Sequence, residues 1–321
     1  MNRFVVSSSP HMHKDESIAS IMLDVLIALM PAALAGIYYF GWRAAVVMLT
    51  SIASCLLFEY LYEKLMKKPI TTRDLSAMVT GLLLGMNLPS TIPLWMVVVG
   101  SAFAIIIVKQ LYGGLGKNFV NPALAARCFM LIAWAGAMTT FPEPMAGVDA
   151  VSSATPLAVL KGVSEGTLPT LRQAFLGAMP GSIGETSCLM LLLGFVYLLL
   201  RRVISWKIPV TYIVVFAVLT FFFGKNETGM EAWTYTLLHV MSGGLLLGAF
   251  FMATDYTTTP TTPMGQFIFG AGCGILTFVI RRFGGYPEGV SFSILLMNVC
   301  TPLIDRYTVP RKFGEVAKHA S

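Results

Sequence analysis

Charge is what this sequence has least of. Only 12% of its 321 residues are Asp, Glu, Lys or Arg, while 56% are hydrophobic and the mean hydropathy is +0.74. A soluble domain carries about 25% charged residues, so this chain lacks the material for a water-facing surface and reads as a polytopic membrane protein. Cysteine is also sparse. The five, at positions 55, 128, 188, 273 and 300, form no CxxC pair, which argues against a disulfide scaffold and against a cysteine-held metal or iron–sulfur cluster within the chain. No GxGxxG follows a strand-like run, so direct NAD(H) binding is not expected. The net charge of +6 comes from basic residues scattered between apolar runs, without the aromatic-interleaved stripe of a nucleic-acid binder. The opening MNRFVVSSSPHMHKDES is polar, and no cleavable signal peptide is expected.

Long apolar runs are what the chain does have. Crossing a bilayer takes roughly 20 apolar residues, and ten runs qualify, with short ones at the third and sixth places: 20–40, 44–63, 75–89, 93–111, 122–138, 187–200, 208–224, 236–253, 265–281 and 289–304. Lys and Arg set the orientation. With the N-terminus in the cytoplasm, six basic residues fall outside (Arg43, Lys161, Arg172, Lys225, Arg281 and Arg282), and the other sixteen, Lys109 and Arg127 among them, fall inside. Both termini are therefore expected in the cytoplasm, with the 139–186 connection outside. Arg281 and Arg282 sit together on the wrong side of that assignment.

The sequence GLLLG occurs at 81–85 and again at 244–248, each followed by a polar, proline-bearing break and later by a double glycine, Gly113-Gly114 and Gly284-Gly285. A repeat of five spans, an odd number, makes the two halves upside down relative to each other, and such halves meet around a site built from interrupted helices. The expected fold is all-α, about ten transmembrane helices in two inverted five-helix repeats: residues 1–138, an external loop at 139–186, residues 187–304 and a cytoplasmic tail at 305–321. The alternative meaning of these glycines is close helix contact alone.

Ionisable residues inside the runs are few: Asp24, Glu59, Glu63 and His239, with Asp74, Lys109 and Asp305 near run ends. Each costs free energy unless paired or facing water. Asp24, the most deeply placed acid, is a candidate for an ion path. Glu59 and Glu63 share a helical face, with Lys64 placed to neutralise one of them. The segment GGLGKNFVNPALAARC offers Lys117, Asn118 and Asn121 as contacts for a phosphate or flavin, or else a packed loop capped into the fifth run. The threonine tract at 257–262 with Asp255 is its pseudo-symmetric rival.

The external loop contains DAVSSATPL at 149–157. Its hydroxyls, Ser152, Ser153 and Thr155, have no histidine nearby, and a hydroxyl needs a base or metal to act as a nucleophile. On composition it reads as a turn ahead of Pro156.

DAVSSAT nevertheless matches the flavinylation motif Asp-x-x-Ser/Thr-Gly/Ser-Ala-Thr from Asp149 to Thr155. SSSPH at 7–11, IMLDVLIALMP at 21–31, TGLLLGMNLP at 80–89, GGLGKNFVNPALAAR at 113–127 and ATDYTTTPTTPMGQ at 253–266 extend the likeness along nearly the whole chain. The chain resembles the family of D subunits (RnfD) of Rnf ion-translocating oxidoreductases, related to the B subunit of the sodium-pumping NADH:quinone oxidoreductase. The resemblance implies FMN joined through its phosphate to Thr155 by a dedicated flavin transferase, with Asp149, Ser152, Ser153 and Ala154 in the recognised segment and the Thr155 hydroxyl exposed. It further implies a second, non-covalent flavin (riboflavin or FMN) close to Lys117, Asn118 and Asn121. The implied role is an electron relay in the bacterial inner membrane, among iron–sulfur, NADH-binding, membrane and FMN-bearing partner subunits, coupling electron transfer between ferredoxin and NAD to sodium or proton translocation. Ser153 stands where the motif more often has glycine. A solute transporter or channel with inverted repeats is the competing class, and it gives no reason for DAVSSAT in an external loop.

Overall fold

A computed structural model describes residues 17–145, 152–164, 166–224, 229–286 and 288–309. Asp149, the SSSPH segment and the tail beyond 309 lie outside the described residues. Helix α1 (Ile18–Phe40) starts where the Ser17 side chain accepts the Ser20 N–H, and ends at Gly41, whose φ of 73° turns the chain directly into α2 (Trp42–Leu65). α3 (Ser76–Met86) has only 11 residues. It stops before Leu88-Pro89, because a residue preceding proline is driven out of the helical region, and the Asn87 side chain donates to the Leu83 carbonyl at 2.7 Å. α4 (Leu94–Ala102) runs on through wider turns at Phe103–Gln110, in which Leu111 N–H reaches back five residues to Ile106. α5 (Pro122–Ala133) begins with Pro122 in its first turn and Asn121 as cap, followed by α6 (Ala135–Met138).

The segment expected as a loop is built into the body. β1 (Phe141–Pro142) pairs antiparallel with β2 (Ser152–Ser153), Phe141 facing Ser153. Two short helices follow, α7 (Pro156–Leu160) and α8 (Leu171–Leu176). The 177–187 connection then lies against the end of α3, Ile183 and Gly184 N–H donating to the Leu88 and Met86 carbonyls at 3.1 and 2.8 Å. α9 (Cys188–Leu200) and α10 (Lys207–Phe223) come next. α11 (Ala232–Met241) is bent by 59° from α12 (Leu245–Leu247), which continues in wide turns to Met252, and α13 (Pro263–Phe283) and α14 (Val290–Thr308) complete the chain. The run expected at 236–253 therefore starts earlier, at Ala232, and is broken at Ser242–Gly244. Gly243 and Gly244 have φ of 69° and 68°, a left-handed conformation that side chains resist.

This is a multi-pass membrane protein. α1, α2 and α13 are long and apolar enough to cross a bilayer, and α11 with α12 qualifies as one bent span. Apolar side chains such as Leu49, Leu200 and Phe283 point outward, exposed by 63%, 78% and 75%, as lipid-facing residues do. Inside, α2 packs along α3, α1 along α9 and α10 along α13, and small residues set these distances. A Cβ on Gly81 would lie 2.7 Å from the Ile52 backbone, and one on Gly194 would lie 2.1 Å from the Ala28 carbonyl oxygen.

Candidate cofactor site around Thr155

Thr155 caps α7. Its extended backbone puts Oγ1 where it accepts the Ala158 N–H at 3.3 Å, and Pro156 supplies the first helical turn without a donor to waste. The remainder of α7 is an anchor. Leu157 is buried against Gly243 at the helix break, and the Lys161 ammonium donates to the carbonyls of Gly284 and, at 3.0 Å, Tyr286. The hydroxyl is not exposed as the motif reading expects: Thr155 is 9% accessible, because capping turns it toward the body. It lines a cavity of about 310 Å³ with Ser153, Ala154, Arg127, Glu288 and apolar walls that include Leu131 and Phe141.

Arg127 and Glu288 form an ion pair in this wall, with Arg127 also donating to Ser291 Oγ at 2.6 Å and to the Asn87 carbonyl at 3.3 Å. Arg127 thus ties α5 and the end of α3 to the start of α14. It is buried, so it is not a solvent-exposed charge of the kind from which orientation is read. Among the described residues the Ser153 hydroxyl is buried without a hydrogen-bond partner. An unpaired hydroxyl, a guanidinium and the Thr155 oxygen around one small cavity suit a phosphate ester, so these residues fit the group that the motif implies.

Behind this wall the Glu185 carboxylate accepts the Ser182 N–H at 3.1 Å through Oε1, while its Oε2 has no partner. Burial first, and then the neighbouring Glu288 charge, push the Glu185 carboxyl up to about 7, against the opposing pull of Arg127.

The other expected contacts divide. Asn118 and Asn121 line a second cavity, of about 80 Å³, together with Lys109, Thr254, Asp255 and Thr257. The segment at 113–127 and the threonine tract are thus two walls of one space, not rivals. Asn121 accepts the N–H groups of Ala123 and Leu124 and donates to the Met252 carbonyl, and Asn118 donates to the Val120 carbonyl. Lys117 is exposed, and the cation in this cavity is Lys109. Lys109 is held by Glu59 at 2.5 Å and Ser76 at 2.6 Å. Glu59 and Glu63 do share a face, since both accept from the Gln110 amide, but Glu63 is met by Thr71 and not by Lys64, which lies over the Tyr60 ring. Asp24 accepts from Tyr197 at 2.8 Å and pairs with Arg201 at 3.1 Å near the start of α1.

The anomalous Arg281 also finds its reason. Its guanidinium is buried and donates to the carbonyls of His239, Ser242 and Gly243, the groups left open where α11 breaks.

A family model described as the NQR2, RnfD, RnfE family matches residues 5–314. The chain is 49% identical to the D subunit of the Na(+)-translocating ferredoxin:NAD(+) oxidoreductase complex of Acetobacterium woodii, over 96% of this chain and 95% of that one. It is also 49% identical to the D subunit of the proton-translocating ferredoxin:NAD(+) oxidoreductase complex of Clostridium ljungdahlii, over 98% and 97%. The D subunit of the ion-translocating oxidoreductase complex of Yersinia enterocolitica is 39% identical, over 98% of this chain and 99% of its own.

Proposed function

Because the chain belongs to the NQR2, RnfD, RnfE family, we propose that it is the membrane redox subunit of an ion-translocating ferredoxin:NAD oxidoreductase and carries FMN esterified through its phosphate to Thr155. The observation that carries this reading is that the motif's terminal threonine lines a cavity whose polar lining includes the Arg127 guanidinium, paired with Glu288, and the Ser153 hydroxyl. A flavin there supplies one- and two-electron chemistry that side chains lack. The chain's own residues hold and orient it. Arg127 meets the phosphate charge, Ser153 donates to a phosphate oxygen, and Leu131, Met138 and Phe141 exclude water from the ester. Lys161 and Leu157 fix α7, and hence the Thr155 oxygen, to the broken helix pair. The cavity is at the small end of the roughly 300–1,000 Å³ of small-molecule sites, so it encloses the ester end of the cofactor first.

The same reading places both termini in the cytoplasm, the Thr155 face outside the bacterial inner membrane and ten spans between. It is supported by Arg43 donating to the carbonyls of Ser90 and Thr91, and Thr91 to that of Thr140, which gathers the connections at 41, 87–93 and 139–140 on one face. A flavin transferase and the iron–sulfur, NADH-binding and other flavin-bearing subunits are the partners this role requires. A second, non-covalent flavin near Asn118 and Asn121 requires the cavity of about 80 Å³ to widen, since small-molecule sites start at roughly 300 Å³.

The test is the intact mass of the chain purified from its own host. One FMN adduct is expected, absent in Thr155→Val; a Thr155→Val chain that keeps the adduct, or a wild-type chain without it in a host that makes the transferase, overturns the assignment.

A further inference from the structure

On the other side of α7 from the Thr155 cavity lies a separate space of about 210 Å³ between α7, α10, α11 and α13. Its polar lining is Lys161, Arg281 and Arg282 with His239, Thr220 and Tyr235. No carboxylate lies in this wall among the described residues. Three of these groups are more than nine-tenths buried, with Thr220 4%, Arg281 5% and His239 7% accessible. Each leaves polar atoms without a partner among the described residues: Thr220 Oγ1, Arg281 Nε and both ring nitrogens of His239. Unpaired buried polar groups are costly, and a native chain keeps them where a ligand or water completes them. An N–H of Arg281, a ring N–H and a hydroxyl turned to one cavity call for an acceptor that offers several oxygens. Among the described residues the hydrogen-bonding partners of Arg281 are all carbonyls, and the Glu185 and Glu288 carboxylates act on it without a salt bridge, so its guanidinium suits an anionic ligand. Lys161, outside the spans, feels the same excess: burial and the Arg281 charge push its ammonium down from the ordinary lysine value.

The position of the cavity narrows the kind of anion. It opens at the ends of α10, α11 and α13 on the Thr155 face, where Phe222, Phe223, Trp233 and Phe283 are 71%, 66%, 67% and 75% exposed. Tryptophan is enriched at the membrane–water interface, so Trp233 marks the depth at which lipid head groups lie, with the three phenylalanines turned to lipid beside it. The remaining walls are apolar, Phe216 and Phe278 among them, with Arg281 over the Phe216 ring at 4.9 Å. A free inorganic anion has no use for such walls, whereas a phosphodiester with acyl chains does.

We propose that this cavity binds the phosphate of an anionic phospholipid of the leaflet on the Thr155 face, with Thr220, His239 and Arg281 donating to the phosphate and Lys161 and Arg282 at the head group. Because the lipid then holds α11, α13 and the Lys161 end of α7 together, its loss loosens the segment that carries Thr155. The inference does not depend on a flavin being attached there.

The experiment uses the complex purified from its own host and depleted of lipid by detergent exchange. Its melting temperature is followed against added phosphatidylglycerol, phosphatidylcholine or inorganic phosphate. Phosphatidylglycerol is expected to raise it by several degrees and phosphatidylcholine to leave it unchanged, with a phosphatidylglycerol adduct on this chain in native mass spectra. The double variant Thr220→Val, Arg282→Gln, which spares the carbonyl contacts of Arg281, is expected to weaken the phosphatidylglycerol midpoint at least ten-fold. Equal responses to the two lipids overturn the proposal, as does an unchanged midpoint in the variant. A shift produced by millimolar inorganic phosphate alone also overturns it, by assigning the site to the free anion.

Discussion

Glu185 keeps one carboxylate oxygen unpaired inside the 177–187 connection, and its elevated proton affinity has a sign that stability measurements read. The folded chain holds the proton at pH values where an unfolded glutamate, with its ordinary value of 4.5, has released it. Stability is therefore full below about pH 4.5 and declines as the pH rises through the raised value. Glu185→Gln is neutral throughout and still accepts the Ser182 N–H. Its unfolding free energy is expected to stay level from pH 5 to 8.5 and to exceed wild type at pH 8.5 by on the order of 1–3 kcal/mol. Thermal unfolding of the purified complex at several pH values checks this, and parallel pH profiles for the two proteins contradict it. At this scale the sequence discloses what is local. Thr155 is singled out as a candidate by seven consecutive residues, and Glu59 with Glu63 are paired by a spacing of four. Arg127 and Glu288, which complete the same site, are 161 positions apart, and nothing local to either residue announces the pairing. Arg127 reads as a topological charge in the sequence because its burial depends on three elements that only the fold assembles.

Between elements, backbone proximity decides what each position tolerates. α9 lies so close to α1 at Gly194 that any side chain meets the Ala28 carbonyl. Gly194→Val is expected to lower the unfolding free energy by about 1–3 kcal/mol or more, while Gly136→Ala, with nothing within 4 Å of the added carbon, is expected to stay near wild type. Comparing the two variants by yield in detergent and melting temperature separates a packing effect from a general intolerance of replaced glycines. Most helices are legible in the sequence, since apolar runs of this length have few other uses in a chain so poor in charge, and Pro89 signals the early end of α3. The break at Ser242–Gly244 is not. Its residues are small and apolar-compatible, so the run reads as continuous, and the carbonyls it opens are satisfied by Arg281 from a helix 38 to 42 residues later. The wide turns after Ala102 and Leu247 leave composition unchanged and so give no signal in the sequence.

For the molecule as a whole, orientation rests on the distribution of exposed positive charge, and burial removes three residues from that account. Lys109 and Arg127 sit in buried ion pairs, and Arg281 holds a helix break, so none of them reports on the cytoplasmic side. What remains is clustered: Lys64, Lys67 and Lys68 at and just beyond the end of α2, Arg201 and Arg202 after α9 and Lys207 at the start of α10 share one face, while Arg43, Lys161, Arg172 and Arg282 are spread over the other. Clustered basic residues stay on the cytoplasmic side, which is why the Thr155 face is proposed as the outer one. Cysteine labelling tests this directly, because four described cysteines are buried and only Cys300 is exposed. In a Cys300→Ser background, Arg172→Cys is expected to react with a membrane-impermeant maleimide in intact cells, and Lys68→Cys only after the membrane is opened. Both positions are exposed, so failure to label cannot come from burial. The reverse pattern turns the molecule over, puts Thr155 in the cytoplasm and removes the reason for a flavin tether on the outer surface.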